Sequence, residues 1–313
     1  MATYAAHPDY VVPTGDFIEE WMEEEGINAA ELARRLDVSR KHISELLRGK
    51  APLSHDMALR LENTTGVPAR IWNLHETGYQ AALARQAADA KLVTQYDRAK
   101  DFPLNYLRKH SFITAPASDK AGTVRGLLQF FGISSMDAFQ ATWNQGAVAY
   151  RRSAVGHHNP HRLATWLRAA ERSCTPGDFP IYDRENLEAA LPELRSLTVE
   201  DPVQAIQKAQ ALLRDCGVAL TLVPAVPGLG THGATRWIHG HPLVQLSDLW
   251  KCDDQLWFTL FHEIAHVLLH ESNGLYLNND HDNLEKEANA YASRFLVPED
   301  YEDRLPRHRN LDE

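Results

Sequence analysis

One long apolar segment that carries ionisable residues constrains the fold of this 313-residue chain more than any other feature. Residues 253–270 read DDQLWFTLFHEIAHVLLH, which predicts a single long helix. Apolar side chains fall on nearly every side of that helix, as is typical of a helix buried in a core. Burying His262, Glu263 and His266 there is costly unless hydrogen bonds or a metal ion compensate. The chain must therefore build a polar site inside a hydrophobic core.

The spacing of these three residues is that of a metal site. His262-Glu263-Ile264-Ala265-His266 is an HExxH pattern. On a helix, residues i and i+4 project from one face a turn apart, so the two imidazoles can converge on one metal ion. Glu263 then faces the position of an attacking water, whose proton it can take and pass to a leaving amine. We therefore predict a Zn²⁺ site with His262 and His266 as ligands and Glu263 as the catalytic base.

A third ligand is expected farther along the chain, because the residues after His266 do not continue as HxxGxxH. Residues 285–289, EKEAN, open another predicted helix, on which Glu285 and Asn289 share one face. We predict Glu285 as the third metal ligand. Asn289 is predicted to accept a hydrogen bond from a liganding imidazole and so to fix its tautomer. Glu287 is the alternative ligand.

Several other residues near the motif are candidates for supporting roles. His270, one turn after His266, is predicted to cap the end of its helix, and metal binding is its less favoured alternative. The stretches GATRWI and PLVQLS flank HGH, which predicts a hairpin over 233–247 whose strand edge could bind an extended substrate backbone. Peptide hydrolysis also needs an oxyanion donor. The candidates are Tyr276, Tyr291, His232, His239 and His241.

A second pattern, near the start of the chain, predicts two short helices joined by a tight turn. Asn28 and Ser39 are good helix N-caps, and the apolar residues between them and beyond fall on the inner side of each helix. In a helix-turn-helix, the second helix enters the major groove of DNA with its N-terminal end first. Base contacts are expected from Arg40, Lys41 and Ser44, and phosphate contacts from Arg48 and Lys50.

The charge of the chain divides between these two regions. The formal net charge is −10, which taken alone argues against nucleic-acid binding. Residues 248–313, however, hold 15 acidic and 6 basic residues, whereas residues 34–50 hold 6 basic and 2 acidic residues, so the two stretches have net charges of −9 and +4. The second helix of the turn motif lies in the basic stretch. The acidic end surrounds the metal site and should keep it away from phosphates.

Length and composition limit the number of domains and the class of protein that the chain can form. With 313 residues, 44% hydrophobic and 24% charged, the chain is predicted to form two or three globular domains. The sequence contains no apolar run of about 18 residues, which predicts that it has no membrane span. Three widely spaced cysteines and a first segment without Lys or Arg are typical of a cytoplasmic protein. Residues 111–122 look like a linker, and residues 123–216 predict four or five amphipathic helices.

These motifs resemble two known families. Residues 13–85, with AAELARRLDVSRKHISELLRGK and RIWNLHETGY, resemble the Cro/C1-type helix-turn-helix domain of HigA-type antitoxins. Residues 200–303, with DDQLWFTLFHEIAHVLLH and EKEANAYASRFLVP, resemble the ImmA/IrrE metallopeptidases. The second resemblance implies a zinc-dependent endopeptidase that cleaves a helix-turn-helix repressor, with the ligands and the base already named. The first implies binding to a double-stranded DNA operator, as a homodimer.

The fold class expected from these patterns is mainly α with a smaller α+β part. It comprises an all-α helix-turn-helix domain at 13–85, a helical middle region at 86–199 and a gluzincin-like α+β metallopeptidase domain at 200–303. Because the DNA-reading domain and the peptidase share one chain, the substrate could be a separate repressor, this chain itself, or nothing at all. The alternative function is that of an antitoxin-like repressor whose zinc domain senses or binds a partner without proteolysis.

Overall fold

The computed structural model describes residues 12–143, 159–174, 179–249, 253–270, 275–277 and 282–297. The chain forms two compact units that meet in sequence between Thr94 and Gln95. The first unit is helical, and the second combines helices with one four-stranded mixed sheet. The expected class, mainly α with a smaller α+β part, is confirmed. Among the described residues, none of the helices combines the length and apolar character that crossing a membrane requires.

In the part of the first unit that the structure describes, five helices surround an apolar core. Asn28 Oδ1 accepts hydrogen bonds from two backbone N–H groups at the start of the second helix, and the Ser39 hydroxyl accepts one from His42 N at the start of the third. Both caps are those that the sequence predicts. The helices are α1 (Thr14–Glu24), α2 (Ala29–Arg35), α3 (Arg40–Leu47), α4 (His55–Thr65) and α5 (Ala69–Thr94).

The turn between α2 and α3 sets the direction of α3. Asp37 adopts φ = 54°, a left-handed conformation that reverses the chain within few residues. Arg60 of α4 holds this turn, because its Nη1 donates to the backbone oxygens of Leu36 and Asp37 at 3.0 and 3.2 Å. Ile43 and Leu46 bury the inner face of α3 in the core. The outer face of α3 is thereby presented to solvent.

The second unit begins with helices packed around aromatic side chains and continues into the sheet. The rings of Phe102, Phe131 and Phe139 lie with centroids 4.9 to 5.4 Å apart. Residues 136–143 are helical as well. The other helices are α6 (Tyr96–Ala99), α7 (Leu104–Lys109), α8 (Lys120–Phe131), α9 (Pro160–Ser173), α10 (Arg184–Ser196), α11 (Pro202–Asp215), α12 (Asp253–Leu269) and α13 (Asp282–Leu296).

Residues 111–122 do not form the linker that their composition predicts. Ile113 is buried, and Arg108 Nε donates to the backbone oxygen of Ala115 at 3.0 Å. Asp119 then caps α8 by accepting a hydrogen bond from Gly122 N at 2.7 Å. Small and turn-forming residues suit a tightly packed loop as well as a linker, so composition alone does not separate the two.

Among the described residues, the sheet of the second unit has two interior and two edge strands. The strands are β1 (Ala219–Val223), β2 (Gly233–Ile238), β3 (His241–Ser247) and β4 (Leu275–Leu277), in the spatial order β1-β3-β2-β4. β2 and β3 form the predicted antiparallel hairpin, and β1 joins β3 in parallel. β4 pairs with β2, so the prediction that a hairpin strand offers an edge to substrate is wrong. β4 has only three residues, too few to show a strand pattern in the sequence.

Helices cover both faces of this sheet. On one face, Val244 and Leu246 of β3 belong to the core that holds the apolar side chains of α12. On the other face, Gln245 Nε2 donates to the backbone oxygen of Trp166 in α9 at 2.8 Å. The helical middle of the chain therefore supplies the second cover of the sheet on which the metal-site helix packs.

Candidate functional site

The structure brings together the three side chains that the sequence predicts as metal ligands. His262 and His266 lie one turn apart on α12, and Glu285 lies near the start of α13. Their ligand atoms all lie within 4.8 Å of one another. The two Nε2 atoms are 3.1 Å apart, and the Glu285 oxygens lie 3.2 Å from His262 Nε2 and 3.3 Å from His266 Nε2. Ligand atoms about 2.1 Å from a tetrahedral zinc ion are about 3.4 Å apart, so a triangle of this size fits such an ion.

A hydrogen bond orients the first imidazole. His262 is 2% exposed, and its Nδ1 lies 2.9 Å from Asn289 Oδ1. Because an amide oxygen only accepts, the Nδ1 atom carries the proton and Nε2 keeps its lone pair for a metal ion. Asn289 therefore lies at the position that its predicted role requires.

The second imidazole has a different partner. His266 Nδ1 lies 3.0 Å from His270 Nδ1, and His270 Nε2 lies 3.1 Å from Glu287 Oε2. Both ring nitrogens of His270 thus face side chains, not the helix-end carbonyls that the sequence analysis favoured. Glu287, the alternative ligand, lies at the outer end of this line and its side chain is 62% exposed.

Glu263 lies beside the metal-binding group and is fully buried. Thr235 Oγ1 of β2 donates to its Oε2 at 2.7 Å, and a Cβ atom at Gly233 would collide with the same carboxylate. Burial raises the pKa of the Glu263 carboxyl to about 8. Burial acts in the same direction on Glu285, but the two imidazoles that face its oxygens hold its pKa at about 2. Two neighbouring carboxyls with pKa values this far apart suit one proton carrier and one ligand.

Sequence reasoning missed the two β2 residues that surround the Glu263 carboxylate. Thr235 and Gly233 lie on a strand about 30 positions earlier in the chain, and no periodicity within α12 points to them. One signal was present in the sequence, because a glycine at the start of a strand often marks a close approach of another group to the backbone.

The residues considered as oxyanion donors are dispersed in the structure. His239 and His241 line a cavity of about 140 Å³ with Glu171 of α9, so the sheet separates them from α12. Tyr291 stacks on Phe295 with ring centroids 6.2 Å apart and lines a groove along α13. The remaining two candidates are His232, which is exposed, and Tyr276, whose side chain is outside the described residues.

The side chains predicted to contact DNA lie on α3 and directly after it. Arg40 and Lys41 are exposed in the first turn of the helix, and Ser44 is half-buried one turn later. Arg48 and Lys50 follow the helix and are exposed. The structure thus places four basic side chains in solvent along one short segment, and their contact with DNA stays a prediction.

The fold and the site define a protein that joins a helix-turn-helix domain to an HExxH metallopeptidase-like centre. Residues 18–72 match the helix-turn-helix family, and residues 227–313 match the IrrE N-terminal-like domain, peptidase M78. The chain belongs to the HTH-type regulators through its N-terminal domain and carries an IrrE N-terminal-like domain at its C-terminal end. Both family resemblances expected from the motifs are confirmed.

Individual relatives cover the first of these domains and little more. The chain is similar to the uncharacterized HTH-type transcriptional regulator YddM of Escherichia coli (strain K12), with 32% identity over 85 residues, 26% of this chain and 90% of that protein. It is also similar to virulence-associated protein I of Dichelobacter nodosus, with 33% identity over 82 residues, 26% of this chain and 71% of that protein. The solved structure of the Pseudomonas aeruginosa antitoxin HigA with the higBA promoter has 29% identity and a TM-score of 0.25, over 26% of this chain and 90% of that one.

Proposed function

We propose that this chain is a DNA-binding transcriptional regulator with a zinc-dependent endopeptidase activity in its C-terminal domain. The observation that carries the proposal is the group of the buried His262 and His266 with the half-buried Glu285, and the buried Glu263 beside it. Burying three ionisable side chains beside a half-buried fourth is costly unless they bind a metal ion or hydrogen-bond with one another. Their positions suit one metal ion and one proton carrier, which are the two components that hydrolysis of a peptide bond requires.

The donor set favours zinc as the metal. Two imidazole nitrogens and one carboxylate oxygen form the ligand set of many catalytic zinc sites, in which a fourth position stays open for water or substrate. When bound, zinc acts as a Lewis acid on a peptide carbonyl and lowers the pKa of water. His262, His266 and Glu285 would hold the ion. Asn289 keeps the first of these imidazoles in the tautomer that leaves Nε2 available.

Glu263 supplies the proton transfer in this proposal. Its carboxylate takes a proton from the attacking water and delivers it to the amine nitrogen that leaves when the peptide bond breaks. Burial raises the pKa of this carboxyl, so once it has taken the proton it holds it more firmly than an exposed glutamate would. The Thr235 hydroxyl fixes the carboxylate from the sheet side, so the proton carrier is in place before substrate arrives.

The N-terminal domain supplies the contact with DNA. Five side chains on and after α3 are proposed to bind a double-stranded operator, the first three at base edges and the last two at phosphates: Arg40, Lys41, Ser44, Arg48 and Lys50. The net charge of +4 over residues 34–50 supports this assignment in a chain whose total is −10. A homodimer would place two such helices on a palindromic operator.

The proposed substrate is a helix-turn-helix repressor, either a separate protein or this chain itself. Reading of DNA is assigned to residues 13–85 and hydrolysis to residues 200–303, with the helical middle at 86–199 between them. The chain contains a helix-turn-helix domain of its own. A second copy of the chain must therefore be tested as a substrate alongside separate repressors.

Replacing Glu263 with Gln tests the proposed activity. The variant keeps the side-chain size and all three ligands but cannot carry the proton, so we expect unchanged zinc content and cleavage slower by about 10²–10⁴-fold. The full chain, loaded with zinc, is incubated with helix-turn-helix repressors encoded by neighbouring genes and with the E263Q chain as substrate. Mass spectrometry then identifies the fragments and the bond that is cut.

Glu193→Gln is the matched control, because it makes the same chemical change at an exposed position on α10. It is expected to cleave as the wild type does. Equal cleavage by E263Q and wild type would overturn the assigned role of the base. A zinc-loaded wild type that cleaves none of these substrates, and an E263Q variant that regulates its promoter normally, would together support the sensing module without proteolysis.

A further inference from the structure

A line of hydrogen bonds leads from the metal-binding group to the protein surface. It runs from His266 Nδ1 to His270 Nδ1 over 3.0 Å, and from His270 Nε2 to Glu287 Oε2 over 3.1 Å. His270 is 8% exposed, whereas Glu287 lies in solvent on the outer side of α13. Two hydrogen bonds therefore connect a buried imidazole of the metal group with a solvated carboxylate.

The chemistry of the groups sets the direction of both hydrogen bonds. A carboxylate only accepts, so His270 Nε2 carries the proton in its contact with Glu287. The other nitrogen of a neutral imidazole accepts, so His266 Nδ1 donates to His270 Nδ1. His266 Nε2 is left with its lone pair, and this atom is the one that faces the Glu285 carboxylate at 3.3 Å. The surface carboxylate thus fixes the tautomer of a metal-group histidine through one intervening ring.

The two histidines of the metal group are oriented by different acceptors. His262 has a neutral amide oxygen, that of Asn289, whereas His266 has an imidazole that a carboxylate polarises. A carboxylate at the end of such a line raises the basicity of the liganding imidazole and restrains its ring. The donor strength and orientation of His266 therefore depend on two residues that do not contact the metal position themselves.

We propose that His270 and Glu287 are positioning residues that orient His266 for metal binding. This inference rests on the proposed function, because it takes His266 as a zinc ligand. Both ring nitrogens of His270 are used within the line, and the Glu287 oxygen at its outer end faces His270. The line thereby gives each of these two side chains a role other than direct coordination.

The zinc affinity of the full chain, measured by competition with a chromophoric chelator, tests the line without using peptidase activity. His270→Phe keeps a ring and removes both nitrogens, and we expect zinc to bind about 10–100-fold more weakly. His270→Asn keeps an acceptor oxygen near the position of Nδ1, as Asn289 does for His262, and is expected to recover most of that loss. Glu287→Ala is expected to weaken zinc binding severalfold. Glu193→Ala, an equivalent change at a distant exposed site, should not alter it.

Cobalt(II) in place of zinc gives a second measurement. The visible absorption of bound cobalt depends on ligand geometry, so a misoriented His266 is expected to shift the bands in His270→Phe and much less in His270→Asn. A purely structural role for His270 would lower the unfolding temperature of the variants but leave the cobalt spectrum of the folded protein unchanged. An unchanged spectrum would therefore overturn the positioning role.

The outcomes distinguish this inference from the proposed function. If the wild type binds zinc and His270→Phe binds it equally well, the positioning role fails while the proposed function stands. If the wild type binds no zinc, the proposed function itself fails. If His270→Phe does not fold, Glu287→Ala decides, because it changes only an exposed side chain. If Glu287→Ala then binds zinc as tightly as the wild type, the proposed positioning role is wrong.

Discussion

Helix α3, which we propose to contact DNA, and the candidate metal centre place charged side chains in opposite ways. On α3, Arg40 and Lys41 stand in solvent, and the buried Ile43 and Leu46 set where they point. At the candidate metal centre, His262, Glu263 and His266 are themselves buried, and a hydrogen bond to a particular partner holds each of them. Removing an exposed charged side chain costs only the contact that it made. Removing the partner of a buried charge costs more, because the charge that remains is still out of water and now has no partner. The two regions should therefore respond very differently to single substitutions.

The largest effect is expected at a largely buried ion pair on the face of the sheet opposite the candidate metal centre. Arg236 of β2 is 9% exposed, and its Nη1 donates to Glu171 Oε1 of α9 at 2.6 Å. Its neighbour Thr235 holds Glu263 on the opposite face of the same strand. Glu171→Gln leaves the Arg236 charge buried without its countercharge, and we expect the free energy of unfolding to fall by about 3–5 kcal/mol. Urea unfolding followed by circular dichroism measures this change.

An exposed pair supplies the matched control for that experiment. Arg184 Nε and Glu188 Oε1 lie 3.0 Å apart, with side chains 47% and 51% exposed. Glu188→Gln removes the same charge and is expected to cost less than about 1 kcal/mol. Replacing Glu171 by Leu and Arg236 by Met together should cost less than Glu171→Gln alone, because the Arg236 charge is then no longer buried, although Arg168 loses its contact with Glu171 in both variants. Equal costs for the two single Glu→Gln changes would contradict the comparison between buried and exposed charges.

The sequence predicts the features of this molecule that depend on neighbouring residues, and it does not predict those that depend on distant ones. The caps Asn28 and Ser39 act within a few residues of their own position, so local sequence identifies them. The spacing of His262 and His266 along one helix also identifies two members of the metal group, and on the second helix it leaves Glu285 and Glu287 as candidates for the third. These features need only the period of a helix.

Contacts between elements that lie far apart in the chain could not be predicted in this way. Glu263 meets Thr235 across 28 positions, and Arg236 meets Glu171 across 65. Periodicity shows which face of an element is apolar, but it does not show which other element packs on that face. The position of β4 beside β2 was missed for the same reason.

An intermediate effect is expected for the exposed basic side chains of α3. Arg40→Ala should weaken binding to the best sequence by about 1–3 kcal/mol, because one contact to a base edge is lost. The probe is the duplex that the wild-type protein selects from a random library, and binding is measured by fluorescence anisotropy at several salt concentrations. The preference of the protein for one base over the others should weaken at one position of the duplex and stay unchanged at the rest.

Lys50→Ala separates base contacts from phosphate contacts on the same surface. Removing a phosphate contact should weaken binding to all duplexes alike and reduce the salt dependence by about one counterion. The peptidase activity and the unfolding free energy of both variants should stay at wild-type values, since the substituted side chains are exposed. If Arg40→Ala and Lys50→Ala change affinity and salt dependence identically, α3 does not read bases.

The smallest effect is expected at the turn that orients α3. Asp37 is exposed and adopts φ = 54°, which costs an ordinary L-residue roughly 1–2 kcal/mol and costs Gly very little. Asp37→Gly removes that cost but increases the freedom of the unfolded chain, so its stability should stay close to that of the wild type. Asp37→Ala retains the cost without the tolerance of Asp for this conformation, and should be about 1 kcal/mol less stable than Asp37→Gly. Both changes remove the same charge, so electrostatic effects cancel between them in thermal unfolding. Equal unfolding temperatures would mean that the positive φ of residue 37 costs an ordinary L-residue no stability in this turn.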